Sequence, residues 1–222
     1  MQKIAVIVAG GIGQRMGAAV PKQFLLLNGK SILWHTLQRF LSTWDDLHVI
    51  LVLPKEHQEE GNKIIESLHA SHRVRITEGG DTRFQSVKNG LSLITTPSVV
   101  FVHDGVRCLV SSELIKKCYE QAIEKGSAIP AVAATDSIRI VEGEGHYVAD
   151  RNLVRIIQTP QTFLSEFLLP AFEQPYQTSF TDEATVVENA GAEVFLIEGE
   201  YTNIKITRPE DLQIAEQILQ RS

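Results

Sequence analysis

Apolar runs too dense to leave a wet face are what most constrain this chain: Ile4 to Val8, Leu47 to Leu53 and Ser98 to His103. A strand with one solvated face alternates, whereas a near-continuous run belongs to a strand covered on both sides, as in a parallel sheet. Between the runs lie stripes at helical spacing. Ile32, Leu33, Leu37, Phe40 and Leu41 form one, with Ser31 as candidate N-cap, and Phe84, Val87, Leu91 and Ile94 form another. A helix over 56–70, a strand over 73–77, a helix capped by Ser112 and stopped by Gly126, and a strand from Ala128 to Ala133 complete the alternation. This rhythm predicts βαβ units in a three-layer, Rossmann-like α/β fold with a mostly parallel sheet. Right-handed crossovers then gather the strand-end loops on one edge of the sheet.

After Ala134 the rhythm changes. Thr135 to Ile157 holds short alternating segments around Gly143 and Gly145, which predicts an antiparallel β-arm protruding at about 135–158. The arm reads equally well as an ordinary edge hairpin or as a segment that pairs with a second subunit. Leu153, Val154, Ile156 and Ile157 would otherwise expose apolar surface. Helices from Ser165 to Phe172 and from Thr181 to Gly191 follow, then a strand from Val194 to Ile197. Thr207-Arg208-Pro209-Glu210 reads as a capping box that opens the last helix, and Lys205 lies on or just after a strand. No repeat or linker divides the sequence, so residues 1–222 are expected to form one domain carrying the arm.

Composition removes several function classes. A net charge of −6 argues against a broad nucleic-acid or anionic-membrane footprint, while leaving room for a local basic pocket. No stretch approaches the roughly 20 apolar residues of a membrane span. Ile4 to Ala9 falls short of a signal-peptide core and runs into glycines instead of a cleavage site. Cys108 and Cys118 form neither a CxxC pair nor a disulfide framework. A cytoplasmic protein without nucleic-acid or membrane partners is expected.

Chemistry concentrates in four loops. The first follows Ile4–Val8 and contains Gly10, Gly11, Gly13 and Gly17 with Arg15 and Lys22, which suits either a polyphosphate cradle or a tight turn with solvated charges. It lacks the dinucleotide fingerprint, because Met16 stands where the third glycine belongs, and it contains no GxxxxGK[ST]. The second is Gly79 to Arg83, whose backbone and Asp81 could read a base edge or simply start a helix. The third is His103 to Arg107. An aspartate such as Asp104 at the end of an apolar strand suits a Mg²⁺ ligand, while His103 is expected to be structural. The fourth is NIKITRPED, with Lys205. No nucleophile with a partnered base stands out, so positioning and charge stabilisation are the expected chemistry.

VAGGIGQRMG, PKQF, GGDTRFQSV, HDGVR, DRN, QTPQTF, TDEA and NIKITRPEDL follow one another along nearly the whole chain. The series resembles that of the 2-C-methyl-D-erythritol 4-phosphate cytidylyltransferases. The resemblance implies a nucleotidyltransferase fold, Mg²⁺ as cofactor, and transfer of CMP from CTP to methylerythritol phosphate with release of pyrophosphate, in the non-mevalonate isoprenoid pathway. Carried over by position, Arg15, Lys22 and Lys205 would grip the CTP phosphates and stabilise charge at the α-phosphorus. Ala9, Gly10, Gly80, Asp81 and Ser86 match cytosine-reading positions, and Gly11, Gly13, Arg83 and Gly105 complete the CTP set. Asp104 would hold Mg²⁺ near the ribose. Arg107 and Ser137 match positions around the erythritol, and Arg151, Thr159 and Thr181 match those that hold its phosphate.

The resemblance also implies a homodimer with interlocked arms and a shared active site, Arg151 entering the partner's site, which favours the pairing reading of the arm. Four features depart from the usual pattern: Ala9-Gly10-Gly11 stands where AAG is common, Cys108 replaces a proline, Ser137 a threonine, and Thr202 leaves no second carboxylate beside Asn203. The related ribitol-5-phosphate cytidylyltransferases share the style of the glycine loop, but Asp150-Arg151-Asn152 and Thr181-Asp182-Glu183-Ala184 fit the methylerythritol series better. Retention of Arg15, Lys22, Asp104 and Lys205 together argues against a CTP-binding regulatory module without turnover.

Overall fold

A computed structural model describes residues 1–11 and 20–220. In chain order they form β1 (Gln2–Val8), β2 (Leu26–Leu27), β3 (Lys30–Ser31), α1 (Ile32–Thr43), β4 (Leu47–Leu53), α2 (Gln58–Ser67), β5 (Val74–Glu78), α3 (Arg83–Leu91), β6 (Ser98–Asp104), α4 (Ser112–Lys125) and β7 (Ser127–Ala133). β8 (Ile138–Glu142), β9 (Gly145–Ala149), β10 (Arg155–Ile157), β11 (Gln161–Leu164), α5 (Ser165–Ala171), α6 (Glu183–Asn189), β12 (Leu196–Glu198) and α7 (Pro209–Leu219) follow.

The apolar runs pair as parallel strands. β1 lies between β4 and β6, with Val6 opposite Ile50 and Val102, and β5 extends the sheet beyond β4. On the other flank β11 runs antiparallel to both β6 and β7, while β7 also carries β10 antiparallel and β12 parallel. Alternate residues of each run feed two cores. Ala5, Ile7, Leu51 and Phe101 pack with α1, α2 and α4, whereas Val6, Val52, Val100 and Val102 pack with α3, α5 and α6. Each such aliphatic or aromatic side chain contributes about 1.5–3 kcal/mol on full burial. The three-layer expectation therefore rests on residues that point both ways from one strand. A third cluster, including Leu27, Val106, Ile206 and Ala215, seats α7.

Several boundaries differ from the sequence expectation for local reasons. Ser111, not Ser112, caps α4, its hydroxyl accepting from Leu114 N at 2.9 Å, while Gly126 ends the helix at φ +90 as expected. At α7 the N-cap is Arg208, and Asp211 takes the part assigned to Glu210, accepting from the Arg208 and Thr207 amides at 2.8 and 2.7 Å. Thr181 precedes α6, which Asp182 caps by accepting from Thr185 N at 2.9 Å. Lys205 lies in an extended segment outside any strand, held where Ile206 N donates to Val106 O at 3.0 Å.

β8 and β9 form the protruding hairpin, turned through Gly143 at φ +58. Val141, Val148 and Leu153 are 71%, 66% and 83% exposed, and Ile156 is also exposed, while Val154 and Ile157 are partly covered. No helix among the described residues is long and apolar enough to cross a membrane.

Candidate active site

The loops after β1, β5 and β6 meet, as the parallel topology requires, around a cleft of about 340 Å³. Ala9, Gly10, Gly11 and Lys22 line one wall, Gly80, Asp81, Arg83 and Ser86 the other, with Asp104 and Lys205 completing it. The first loop is fixed at its root. Ala9 N donates to Val52 O at 3.0 Å, and the buried Gln23 donates from Nε2 to Ala9 O at 2.8 Å. Gly105 allows the β1 and β6 loops to touch. Its amide donates to Val8 O at 2.9 Å, and a Cβ there would sit 2.8 Å from that of Ala9. Across the cleft, the Ser86 hydroxyl accepts from Gly80 N at 3.0 Å, so it shapes the loop that presents Gly80 and Asp81. Thr82 caps α3 by accepting from Gln85 N, a task the neighbouring Asp81 does not share.

Asp104 is the electrostatic centre. Lys205 Nζ is 2.9 Å from its Oδ2, Arg107 Nε 3.4 Å from the same oxygen, and Arg83 Nη2 3.4 Å from Oδ1. Burial alone would resist ionisation, but Arg83, Lys205 and Arg107 hold the carboxyl far below the usual carboxylate range. A second acid completes the cluster. Glu183 is 1% exposed and takes both Nη1 and Nη2 of Arg83 on its two oxygens. Burial pushes the Glu183 carboxyl up against the pull of Arg83, and the two acids in turn raise the guanidinium. Three cations against two carboxylates leave the cleft floor with one positive charge, suited to a polyphosphate.

His103 lies behind this floor, fully buried, with Nδ1 3.0 Å from Thr159 Oγ1 and Nε2 3.1 Å from Arg107 O. Burial drives its pKa down to about 3, which keeps the ring neutral and structural, as the sequence implies. The Thr159 hydroxyl also accepts from Asp104 N at 3.1 Å, and Thr159 O accepts from Asn203 Nδ2 at 2.9 Å. The Thr159 hydroxyl thus ties His103 to the end of β6 inside the fold. Arg107 likewise spends one nitrogen on Asn203 O at 2.8 Å.

Of the anticipated CTP set, Ala9, Gly10, Gly11, Lys22, Gly80, Asp81, Arg83, Ser86, Asp104 and Lys205 come together, while Gly105 braces the loop junction instead of lining the cleft. Gly13 and Arg15 lie outside the described residues. The acceptor set is not gathered at the cleft within one copy. Ser137, Arg151 and Thr181 are exposed and line no part of it, and Arg151 Nη1 donates to Thr135 O at 2.8 Å. Asp104 offers a single carboxylate, which fits Mg²⁺ held by one or two carboxylates plus substrate phosphates. Among the described residues no group of three or more His, Cys, Asp or Glu side chains could hold a metal by itself. Sequence reading assigned no role to Glu183, Gln23 or Gln161, although each falls within a quoted motif.

The family model for 2-C-methyl-D-erythritol 4-phosphate cytidylyltransferase matches residues 3–221. The chain is similar to the proteins of that name from Bacteroides thetaiotaomicron, at 44% identity over 99% of this chain and 100% of that one, and from Porphyromonas gingivalis, at 45% over 98% of each. Among solved structures, a 4-diphosphocytidyl-2C-methyl-D-erythritol synthase from Anaerococcus prevotii superposes with a TM-score of 0.83 at 29% identity, covering 99% of both chains. The 2-C-methyl-D-erythritol 4-phosphate cytidylyltransferase from Thermus thermophilus gives 0.76 at 31% identity over 98% of both.

Proposed function

The chain belongs to the 2-C-methyl-D-erythritol 4-phosphate cytidylyltransferase family, and from that premise we propose that the cleft floored by Asp104 is where CTP meets its acceptor. The enzyme converts CTP and 2-C-methyl-D-erythritol 4-phosphate to 4-diphosphocytidyl-2-C-methyl-D-erythritol. A phosphate oxygen of the acceptor forms a bond to the α-phosphorus of CTP, the bond from that phosphorus to the bridging oxygen breaks, and pyrophosphate leaves with the electron pair. Charge grows on the leaving phosphates and the α-phosphoryl oxygens, so fixed cations accelerate the step. Lys22 and Lys205 both line the cleft and supply that charge, with Arg15 assigned to the same task by its place in the motif.

The single observation that carries this reading is the convergence of Gly10, Gly11, Lys22, Gly80, Asp104 and Lys205 on one cleft. Asp104 is the residue to hold Mg²⁺, which when bound would neutralise triphosphate charge. Ala9, Gly80, Asp81 and Ser86 frame the base. The arm at 135–158 completes the picture as the contact of a homodimer, its exposed Val141, Val148, Leu153 and Ile156 covered by the second copy. Arg151 and Thr181, which do not line their own cleft, then serve the acceptor phosphate, Arg151 by reaching the neighbouring subunit.

Pyrophosphate release from CTP, Mg²⁺ and methylerythritol phosphate, compared between the wild type and Lys22→Ala, tests the assignment. Loss of turnover with an unchanged melting temperature is expected. A change under threefold would remove the reaction from this cleft.

A further inference from the structure

Glu183 does not line the cleft, yet both its carboxylate oxygens hold Arg83, which does. Both its oxygens meet Arg83, Nη1 on Oε1 and Nη2 on Oε2 at 3.1 Å, and Nη2 also makes one longer contact, to Asp104 Oδ1 at 3.4 Å. A two-toothed guanidinium–carboxylate pair fixes orientation as well as position.

The frame behind Glu183 is rigid. Gln161 on β11 accepts from Ala184 N at 2.8 Å through Oε1 and donates from Nε2 to Asp182 Oδ2 at 2.9 Å. Asp182 in turn caps α6 through Thr185. One strand residue therefore locks both neighbours of Glu183 and aims its carboxylate at the base of α3. A buried ion pair is weak ground for stability, because desolvation offsets its attraction. Its retention here calls for a reason in specificity of arrangement.

We propose that Glu183 is a positioning residue that fixes the orientation of the Arg83 guanidinium along the cleft wall. Without that carboxylate, Arg83 would face Asp104 as its one remaining acidic partner in the cluster. It would then lose the two-toothed anchor that orients it towards the nucleotide and keep only the single 3.4 Å contact with Asp104. The inference rests on the reading of this cleft as the CTP site.

Calorimetric CTP binding, steady-state kinetics and melting temperatures of Glu183→Gln, Arg83→Gln and the double variant decide the matter. Glu183→Gln keeps the shape and removes the charge. About a tenfold weaker CTP affinity is expected, with the KM for methylerythritol phosphate within twofold of wild type. In the Arg83→Gln background the same change should do nothing more. If Glu183→Gln lowers kcat while leaving CTP binding intact, or adds its full loss on top of Arg83→Gln, the proposal fails. Should the single variant lose stability, the double variant, which removes both charges, still decides: affinity equal to Arg83→Gln supports the proposal and a further drop overturns it. If Arg83→Gln itself binds CTP normally, the proposal fails, while the cleft assignment is decided separately by Lys22→Ala.

Discussion

The ammonium of Lys205 stands 2.9 Å from Oδ2 of Asp104, although one residue closes β6 and the other belongs to an extended segment near the end of the chain. Their surroundings divide the labour. The Asp104 side chain is 11% exposed and that of Lys205 42%, so the lysine is the member that faces an incoming anion. Lys205→Ala should lower turnover by about 10²–10³, the scale of losing one donor to a developing charge. Single-turnover pyrophosphate release measures it, and an unchanged circular dichroism spectrum separates this loss from unfolding.

Removing the acid should act on the fold as well. Asp104→Asn leaves Arg83, Arg107 and Lys205 clustered, with Glu183 as the remaining carboxylate. Breaking one partner out of a buried charged cluster costs about 3–5 kcal/mol, and exposure of Lys205 reduces that. A fall of about 2 kcal/mol in denaturant-extrapolated stability is expected, and stability within 0.5 kcal/mol of wild type would mean the cluster relaxes freely into water.

The proposed crossing of arms between subunits makes a specific promise. Arg151→Ala and Lys22→Ala should each be inactive, yet a mixed dimer carries one site with neither defect. Co-refolding the two variants should recover about a quarter of wild-type activity, the statistical share of intact sites. Exchanged dimers that stay dead, or a monomer by light scattering, would contradict the shared site. Leu153→Asp, which places a charge on an 83% exposed apolar position, should shift the mass towards monomer.

Gly90 tests the packing of α3 on the sheet. A Cβ at this position would lie 2.7 Å from Val6 Cγ1 and 3.1 Å from Val52 Cγ2, both on stiff β-branched side chains. Alanine gains about 1 kcal/mol in helix propensity, but overpacking costs about 1–3 kcal/mol. The urea midpoint of Gly90→Ala should therefore fall with no change in slope, and a rise would show that α3 can lift away.

Both thiols should be inert. Cys108 and Cys118 are buried, and burial pushes each pKa from 9.0 up to about 12. Neither should react with a disulfide reagent at pH 8 until denaturant is added. Since the folded pKa values exceed the unfolded ones, the linked stability is present below pH 9 and is lost as pH rises from 9 towards 12. Alkaline melting curves of Cys118→Ala should show a shallower decline across that window.

The parallel strands were legible because a run such as Leu47–Leu53 admits few other environments, and the glycine loop because its residues act locally. β11 was not legible. Gln161 and Thr162 look like loop residues until Gln161 is seen serving α6 with its side chain, which lets a polar position sit buried inside a sheet. Ser111 and Ser112 are chemically interchangeable as caps, and only the fold chooses between them. Glu183 was hidden for a different reason. Its partner Arg83 lies 100 residues earlier, and in sequence an acid next to Asp182 looks like solvated surface.

The docking of Ile206 N onto Val106 O ties the reaction to the third core. Ile206 packs in that core next to Lys205, so the last cation of the Asp104 cluster is set in place by the same contacts that seat α7. A protein whose third core is loosened would keep Asp104 between Arg83 and Arg107 but lose the ammonium that faces the incoming anion.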